Sequence, residues 1–527
     1  MKPAYCDLPE LLASLHPDAV RAERHLWLIN LCAWVRGDAR SVHDSLARLR
    51  LFCDAMDADP VLRERLQAWW RQMADGLDIT TLLADFGFAP RTAFFSEFAE
   101  RLRFKMMPRC PETIGASELF SLALPTGYSW GAALLVLLGL LAWPQVLRHP
   151  HTLPTELRWW ALATLGMGLV WTLHTYVDGQ WLMRTLGIER SLKYLLLLLA
   201  LPALRWGLPR LEALRWGCWV GALGAGLLAA WQWLVLHWDR AAGHTNAIQF
   251  GNLALLLGLW SWVWARHAPS RAQALLGYAA ALAGLFACVA SGSRGGWIVA
   301  PALVLLVWVL DVRDRRTTWR ERLPRLARAG AVGVVLCGML AWLPPVQERL
   351  AEATREYHAW HDQGRSETSV GQRLAHWGVA WELGLQKPWL GWGQVAYDAQ
   401  KQALIEAGQA PQAVADFNHA HHEWIDMFAK RGLVGVLALA AFFAIPAWRY
   451  ARALRRAPPG QPYGPTEQAA LCGLVGVLGF VGFGMTQVMF AHNNAHMMFL
   501  FMNLLWLAVM VRPSPSQAPC ALAPGHR

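Results

Sequence analysis

Three short polar segments sit between long apolar runs, and each carries residue types that handle anions or protons. The first is the turn Ser291-Gly292-Ser293-Arg294-Gly295-Gly296-Trp297. Its glycines let backbone approach a ligand closely, its serines and amides can cradle an anion at a helix start, and Arg294 adds a fixed charge. Ser291, Ser293 and Gly295 are therefore candidate phosphate contacts beside Arg294. The same residues would also make a tight turn whose arginine merely snorkels to an interface. The second segment is Gly371-Gln372-Arg373-Leu374, followed by Trp377, Trp381 and Leu385 at helical spacing. This pattern predicts an amphipathic helix on a membrane surface, with Gln372 and Arg373 facing a substrate phosphate or a lipid headgroup. The third is Asn418-His419-Ala420-His421-His422-Glu423-Trp424-Ile425-Asp426. Three histidines in four residues raise a metal site, but zinc needs fixed helical geometry and a further ligand. His422 and Asp426 have that spacing, and such a pair more often forms a plain hydrogen bond. A histidine at a helix start also stays neutral beside the positive dipole end and can accept a proton. No Asp-x-Asp cluster for Mg²⁺ occurs in this region; Asp57-Ala58-Asp59 lies far upstream. The expectation is a site without metal or cofactor.

These segments must be positioned by membrane helices. The chain is 55% hydrophobic and 16% charged, against about 25% charged in soluble proteins. It carries 31 tryptophans, a residue that favours membrane interfaces. Apolar runs predict spans at about 130–147, 159–177, 191–204, 216–236, 247–265, 272–290, 297–311, 329–343, 431–448, 467–485 and 494–511. Several are short, which predicts tilted or broken helices. The expected fold is all-α: a polytopic transmembrane bundle of about 11–12 spans, one large periplasmic helical loop and an N-terminal helical domain. Expected boundaries are 1–125 for that domain, 126–343 for the first group of spans, 344–430 for the loop, 431–512 for the last spans and 513–527 for a disordered cytoplasmic tail.

Arginines orient the spans. Seven lie between Arg313 and Arg328, four between Arg449 and Arg456, and Arg205, Arg210 and Arg215 mark a third connection. If spans alternate, all three face the cytoplasm, and 344–430 and the turns at 237–246, 291–296 and 486–493 face outward. Eleven spans would place 1–125 outside despite its arginines; a degenerate span near 119–124 would reverse that. The net charge of +11 is then a matter of orientation, and no nucleic-acid partner is expected. None of the nine cysteines forms a Cys-x-x-Cys pair, which argues against a zinc site or disulfide framework.

Residues 1–125 have no run long enough to span a bilayer and no signal peptide at their start. The stretch Thr80 to Pro108 resembles the N-terminal region of a bacterial family of site-specific recombinases. Recombinase chemistry needs an activated Tyr or Ser among arginines; the nearest tyrosines are Tyr5 and Tyr128, and no serine is marked as activated. The role of this domain is left open.

The rest of the chain resembles the O-antigen ligase and polymerase superfamily, over about residues 125–512. The resemblance rests on SGSRGGW, GQRLAHW, PWLGWG and HAHHEWIDMFAKRGLVG, with TNAIQFGNLALLLG upstream and TQVMFAHNNAHMMF near the end. It implies transfer of a glycan from undecaprenyl diphosphate to lipid A–core in lipopolysaccharide biosynthesis, at the periplasmic side of the cell inner membrane, among membrane lipids. It implies that the arginine of the turn motif is Arg294, that of the loop helix Arg373, and the histidine His421. The family usually has Asn after that histidine. His422 stands there in this chain, so His419 and His422 stay open as the base or as substrate contacts. The family normally has twelve spans.

The residue chemistry agrees independently: guanidinium pairs with phosphate in bidentate fashion, and a neutral imidazole accepts a hydroxyl proton. O-antigen polymerases and protein O-oligosaccharyltransferases share the loop architecture and are the near alternatives. The alternative from another class, a lipid-linked sugar transporter, needs ionisable groups midway through spans. Here the spans carry few, His174 being the main one.

Overall fold

The computed structural model describes residues 127–148, 153–177, 188–205, 209–311, 344–458 and 461–511, with a few isolated positions between them. The chain divides into two units, Met1–Cys110 and Pro111–Arg527, and the described residues lie in the second. Expectations for the N-terminal domain, the span at 329–343, the arginines of 313–328 and the C-terminal tail fall outside them.

The described residues form thirteen α-helices with short 3-10 and π turns and no strand. They are α1 (Gly127–Arg148), α2 (Thr155–Val177), α3 (Ile188–Ala200), α4 (Leu211–Ala230), α5 (Ala247–Arg266), α6 (Arg271–Ala290), α7 (Arg294–Asp311), α8 (Pro344–Gln363), α9 (Ser369–Gln386), α10 (Gln394–Glu406), α11 (Glu423–Arg456), α12 (Pro465–Phe483) and α13 (Asn493–Met510). Seven of them, α1, α4 with its continuation to Val235, α5, α6, α11, α12 and α13, are long and apolar enough to cross a membrane, and α7 is a shorter apolar helix. The chain is an all-α, multi-pass membrane protein. The expected short span at 191–204 is a 13-residue helix completed by a 3-10 turn, Leu201–Arg205.

Two helices, α5 and α13, are buried almost all round. A helix apolar on every face has no side to give to lipid or water, so it becomes the centre of the bundle. Helix α6 reaches α5 through small residues: a Cβ on Gly258 would lie 3.0 Å from the Ala281 carbonyl oxygen, and Gly284 approaches Ala254. Close backbone approach through glycine drives packing where lipid removes the hydrophobic incentive. Rings of Trp160, Phe442, Phe480, Phe490 and Phe499 join α2, α11, α12 and α13.

Helices α2 and α11 run antiparallel. Glu156 meets Arg449 at one end (3.6 Å), and at the other Arg431 stacks on Trp171, 3.5 Å from the ring centre. The separation of 18 residues corresponds to about 27 Å of helix, close to the hydrocarbon thickness. The arginine-rich end of α11 thus lies a bilayer away from the end that carries the polar motifs.

At that second end α8, α9 and α10 fold into a subdomain with its own small core: Val379, Ala380 and Leu383 of α9, Tyr397 of α10, and Val414, Ala420 and Ala429. The opposite face of α9 and the turn after it expose Trp381, Leu385, Trp389 and Leu390, as expected of a helix lying on a membrane surface. The turn Pro388–Gly393 is sewn to α11. Helix α11 is broken at Gly432 (φ 59°, ψ −161°), and the neighbouring backbone groups pair with the turn: Leu433 N–H with the Pro388 carbonyl (2.7 Å), Trp392 N–H with Ala429 (3.0 Å) and Gly393 N–H with Lys430 (2.8 Å).

Candidate active site

The turn between α6 and α7 forms as its composition predicts, but its serines face inward. Gly292 takes a left-handed backbone (φ 62°). Ser291 and Ser293 are fully buried. The Ser291 hydroxyl donates to the Cys288 carbonyl (2.7 Å) and accepts the Ser293 amide (3.2 Å); the Ser293 hydroxyl donates to the Asn252 side chain (3.0 Å). Gly295 makes room for Thr486 of the α12–α13 connection. These three expected phosphate contacts hold the turn in place. Gln372 likewise donates to Asp416 (2.7 Å), tying α9 to the loop.

Arg294 opens α7 and reaches α8, where it donates to Glu352 (2.7 Å) and Glu356 (2.9 Å). Arg349 shares Glu352 (2.7 Å). Arg240 donates to the carbonyls of Ser291 (2.8 Å) and Gly292 (3.4 Å), fastening the turn. Arg373 differs from all three: among the described residues its guanidinium has no hydrogen-bond or ion-pair partner. Thr368 caps α9 by accepting the Gly371 amide (3.1 Å), which places Arg373 on the second turn. Burial first, and then the charge of Arg294, hold its pKa below the usual guanidinium value, with Glu356 acting against them and Arg240 with them. A partly buried, unpaired arginine beside other arginines is prepared for an anion that the protein does not itself supply.

The histidine loop runs from Phe417 into α11. His421 sits in the left-handed region (φ 52°), uncommon for a residue with a Cβ. Buried lysines hold the loop there. Lys430 is paired with Asp426 (2.6 Å) and donates to the Asn418 carbonyl (2.7 Å); Lys401 donates to Phe417 (2.5 Å), and Gln394 to Asn418 (3.0 Å). Asp426 also accepts the Ala420 amide (2.9 Å). The expected His422–Asp426 side-chain bond does not form. Asp426 turns to Lys430 because an ammonium compensates a buried carboxylate better than an imidazole.

The three histidines have distinct partners. His422 is the N-cap of α11, its Nδ1 accepting the Ile425 amide (3.3 Å), the capping work that an asparagine does well. His419 Nδ1 accepts the His421 amide (3.4 Å). His421 Nδ1 lies 2.9 Å from Oε1 of Gln487, which also accepts the Val488 amide (3.2 Å) and so is the carbonyl end of that side chain. Nδ1 must then carry the proton, which leaves the lone pair on Nε2. Burial lowers the pKa of all three rings and takes His419 down to about 3. For His421 the hydrogen bond to Gln487 opposes the depression, and Arg373, close enough for its charge to be felt, adds to it.

Arg294, Arg373 and His421 are thus brought together at one end of the bundle, while His419 and His422 support the loop. Sequence reasoning missed Arg240, Arg349, Glu352, Glu356, His376 and Gln487; the nearest signal was the spacing of Glu352 and Glu356 by one helical turn. Among the described residues no three His, Cys, Asp or Glu side chains come together as metal ligands would. The arrangement can hold a multivalent anion beside a neutral imidazole with a free lone pair.

Comparison with known proteins adds the family. Residues 22–134 match the family described as site-specific recombinase. A protein of Haemophilus influenzae (strain Rd), described as an uncharacterized protein, is 22% identical over 293 residues, which is 54% of this chain and 70% of its own length. Residues 279–440, which contain Arg294, Arg373 and His421, match the family described as O-antigen ligase, and this segment, just under a third of the chain, is what the chain shares with that family.

Proposed function

We propose that the chain is an O-antigen ligase, transferring a glycan from undecaprenyl diphosphate to lipid A–core at the periplasmic face of the inner membrane. The observation that carries this reading is Arg373, unpaired among the described residues and within electrostatic reach of both Arg294 and His421. In the proposed reaction Arg294 and Arg373 bind the diphosphate and stabilise the charge that grows as the anomeric C–O bond breaks. His421 Nε2 takes the proton of the acceptor hydroxyl while its oxygen bonds to the anomeric carbon. The electron pair of the broken bond stays with the diphosphate. No step calls for a metal ion, and the expected activity survives EDTA.

Incubating the purified protein with an undecaprenyl-diphosphate glycan, and either lipid A–core or a second donor, tests the reading. Product on lipid A–core supports a ligase; longer chains on the carrier would make it a polymerase. Arg294→Lys and Arg373→Lys keep the charge but lose the planar fork. Each is expected to lower turnover about ten- to a hundredfold, the equivalent of about 1.5–3 kcal/mol for a charge-assisted contact. Arg373→Lys should hurt more, because Arg294 gives up two carboxylates on binding and Arg373 gives up none. Sidedness is read by a single cysteine at Gln409 in a background without reactive native thiols. An impermeant reagent should label it in intact spheroplasts; labelling only after lysis would overturn the periplasmic placement.

A further inference from the structure

His376 lies one helical turn beyond Arg373 on α9 and is fully buried. Neither ring nitrogen has a hydrogen-bond partner among the described residues. Its ring stands edge-on to His421, with centres 5.9 Å apart, and to Phe417 at 6.2 Å. A leucine or phenylalanine in so enclosed a position would leave no polar atom unpaired. An imidazole there carries the desolvation of two polar atoms and regains nothing from the protein. Such a group makes sense when its partners arrive with a ligand.

We propose that His376 is an acceptor-binding residue: its neutral ring accepts from one hydroxyl of the incoming sugar and donates to another, turning the reacting hydroxyl toward Nε2 of His421. This rests on the reading of the site as a glycosyl transferase. A neutral imidazole has one donor and one acceptor, which matches a pair of sugar hydroxyls. It offers no cation to a diphosphate, so it belongs to the acceptor rather than to the donor, and its neighbour His421 is the group that faces the acceptor. The surroundings keep it neutral. Burial, with His421, Lys401 and Lys430 discouraging a second positive charge and Asp426 acting against them, holds its pKa at about 3.

The test is transfer by the full chain in lipid nanodiscs, with lipid A–core varied at saturating donor and donor varied at saturating acceptor. His376→Phe fills the same space without polar atoms. It is expected to lower kcat/KM for the acceptor about thirtyfold, to leave the donor KM unchanged and to keep the melting temperature. His376→Gln keeps a donor and an acceptor and should recover most of the loss. A residue that only packs the core would behave in reverse, tolerating Phe and suffering from Gln. Acceptor kcat/KM within threefold of wild type in His376→Phe would overturn the proposal. If that variant fails to fold, ¹⁵N-histidine NMR of the wild-type protein decides, with the His376 signal identified by its loss in His376→Gln. A shift on adding lipid A–core supports the role, and an unmoved signal overturns it. Absence of transfer by the wild-type protein would overturn the reading of the site itself, whereas active wild type with equally active His376→Phe overturns the role of His376 alone.

Discussion

His421→Ala is expected to lower the rate of glycan transfer by about a hundred- to ten-thousandfold, the range that a positioned general base contributes. Donor affinity should change little, because the diphosphate is held by arginines and the base serves the acceptor proton. The loss should therefore fall on kcat, with the donor KM near its original value. His419→Ala and His422→Ala remove supports of the loop, a backbone contact and a helix cap, and should be milder. Because burial lowers the His421 pKa, its neutral, reactive form persists to lower pH than an ordinary histidine's. The acid limb of kcat/KM against pH should lie below about 6.5. A limb at or above that value, or a dead His422→Ala beside an active His421→Ala, would move the base elsewhere.

Gly432→Ala should strongly destabilise the protein in membranes or detergent. The backbone at 432 (φ 59°, ψ −161°) lies where a residue with a Cβ is strained by about 1–3 kcal/mol. A methyl group would also overlap the backbone of Trp389, in the turn that pairs with α11 on either side of the break. Relieving that overlap costs about another 1–3 kcal/mol or opens the seam. Against a usual margin of about 5–15 kcal/mol the sum is large. Yield of monodisperse protein and its melting temperature are the measurements. Gly378→Ala is the contrast: on the open face of α9 a methyl meets nothing within 4 Å, and the change should be neutral or stabilising by up to about 1 kcal/mol. Equal behaviour of the two variants would contradict the break as described.

Local signals made much of this legible in the sequence. The apolar runs, the breakers Pro388, Gly391 and Gly393, and the arginines at helix starts all act through their immediate neighbours, so their helices and turns could be read from spacing. What could not be read depends on distant partners. Ser293 looked free to bind an anion because Asn252, which takes its hydroxyl, is 41 positions away. Glu352 and Glu356 could not be singled out, since nothing near them in sequence announces Arg294. Gln487 is one polar residue in an apolar stretch, and only the fold brings it to His421. His376 was hidden in plain view within GQRLAHW: its type was visible, but its burial and its unpaired nitrogens exist only once α9 packs against α10 and α11.

The pairing of Arg294 with Glu352 and Glu356 changes what capture of a donor means. On the proposed reading the diphosphate does not fall into an empty positive pocket; it displaces two resident carboxylates, and its affinity is the difference between two sets of charge-assisted bonds. Much of each set cancels. A phospholipid headgroup with a single negative charge has little to offer in such an exchange, although the bilayer presents it in vast excess. A diphosphate brings more charge and more oxygens, and it also reaches Arg373, which surrenders no bond to receive it. The glutamates thus set a threshold that keeps the commonest anions of the membrane from occupying the site and leaves it to the one that can engage both arginines at once.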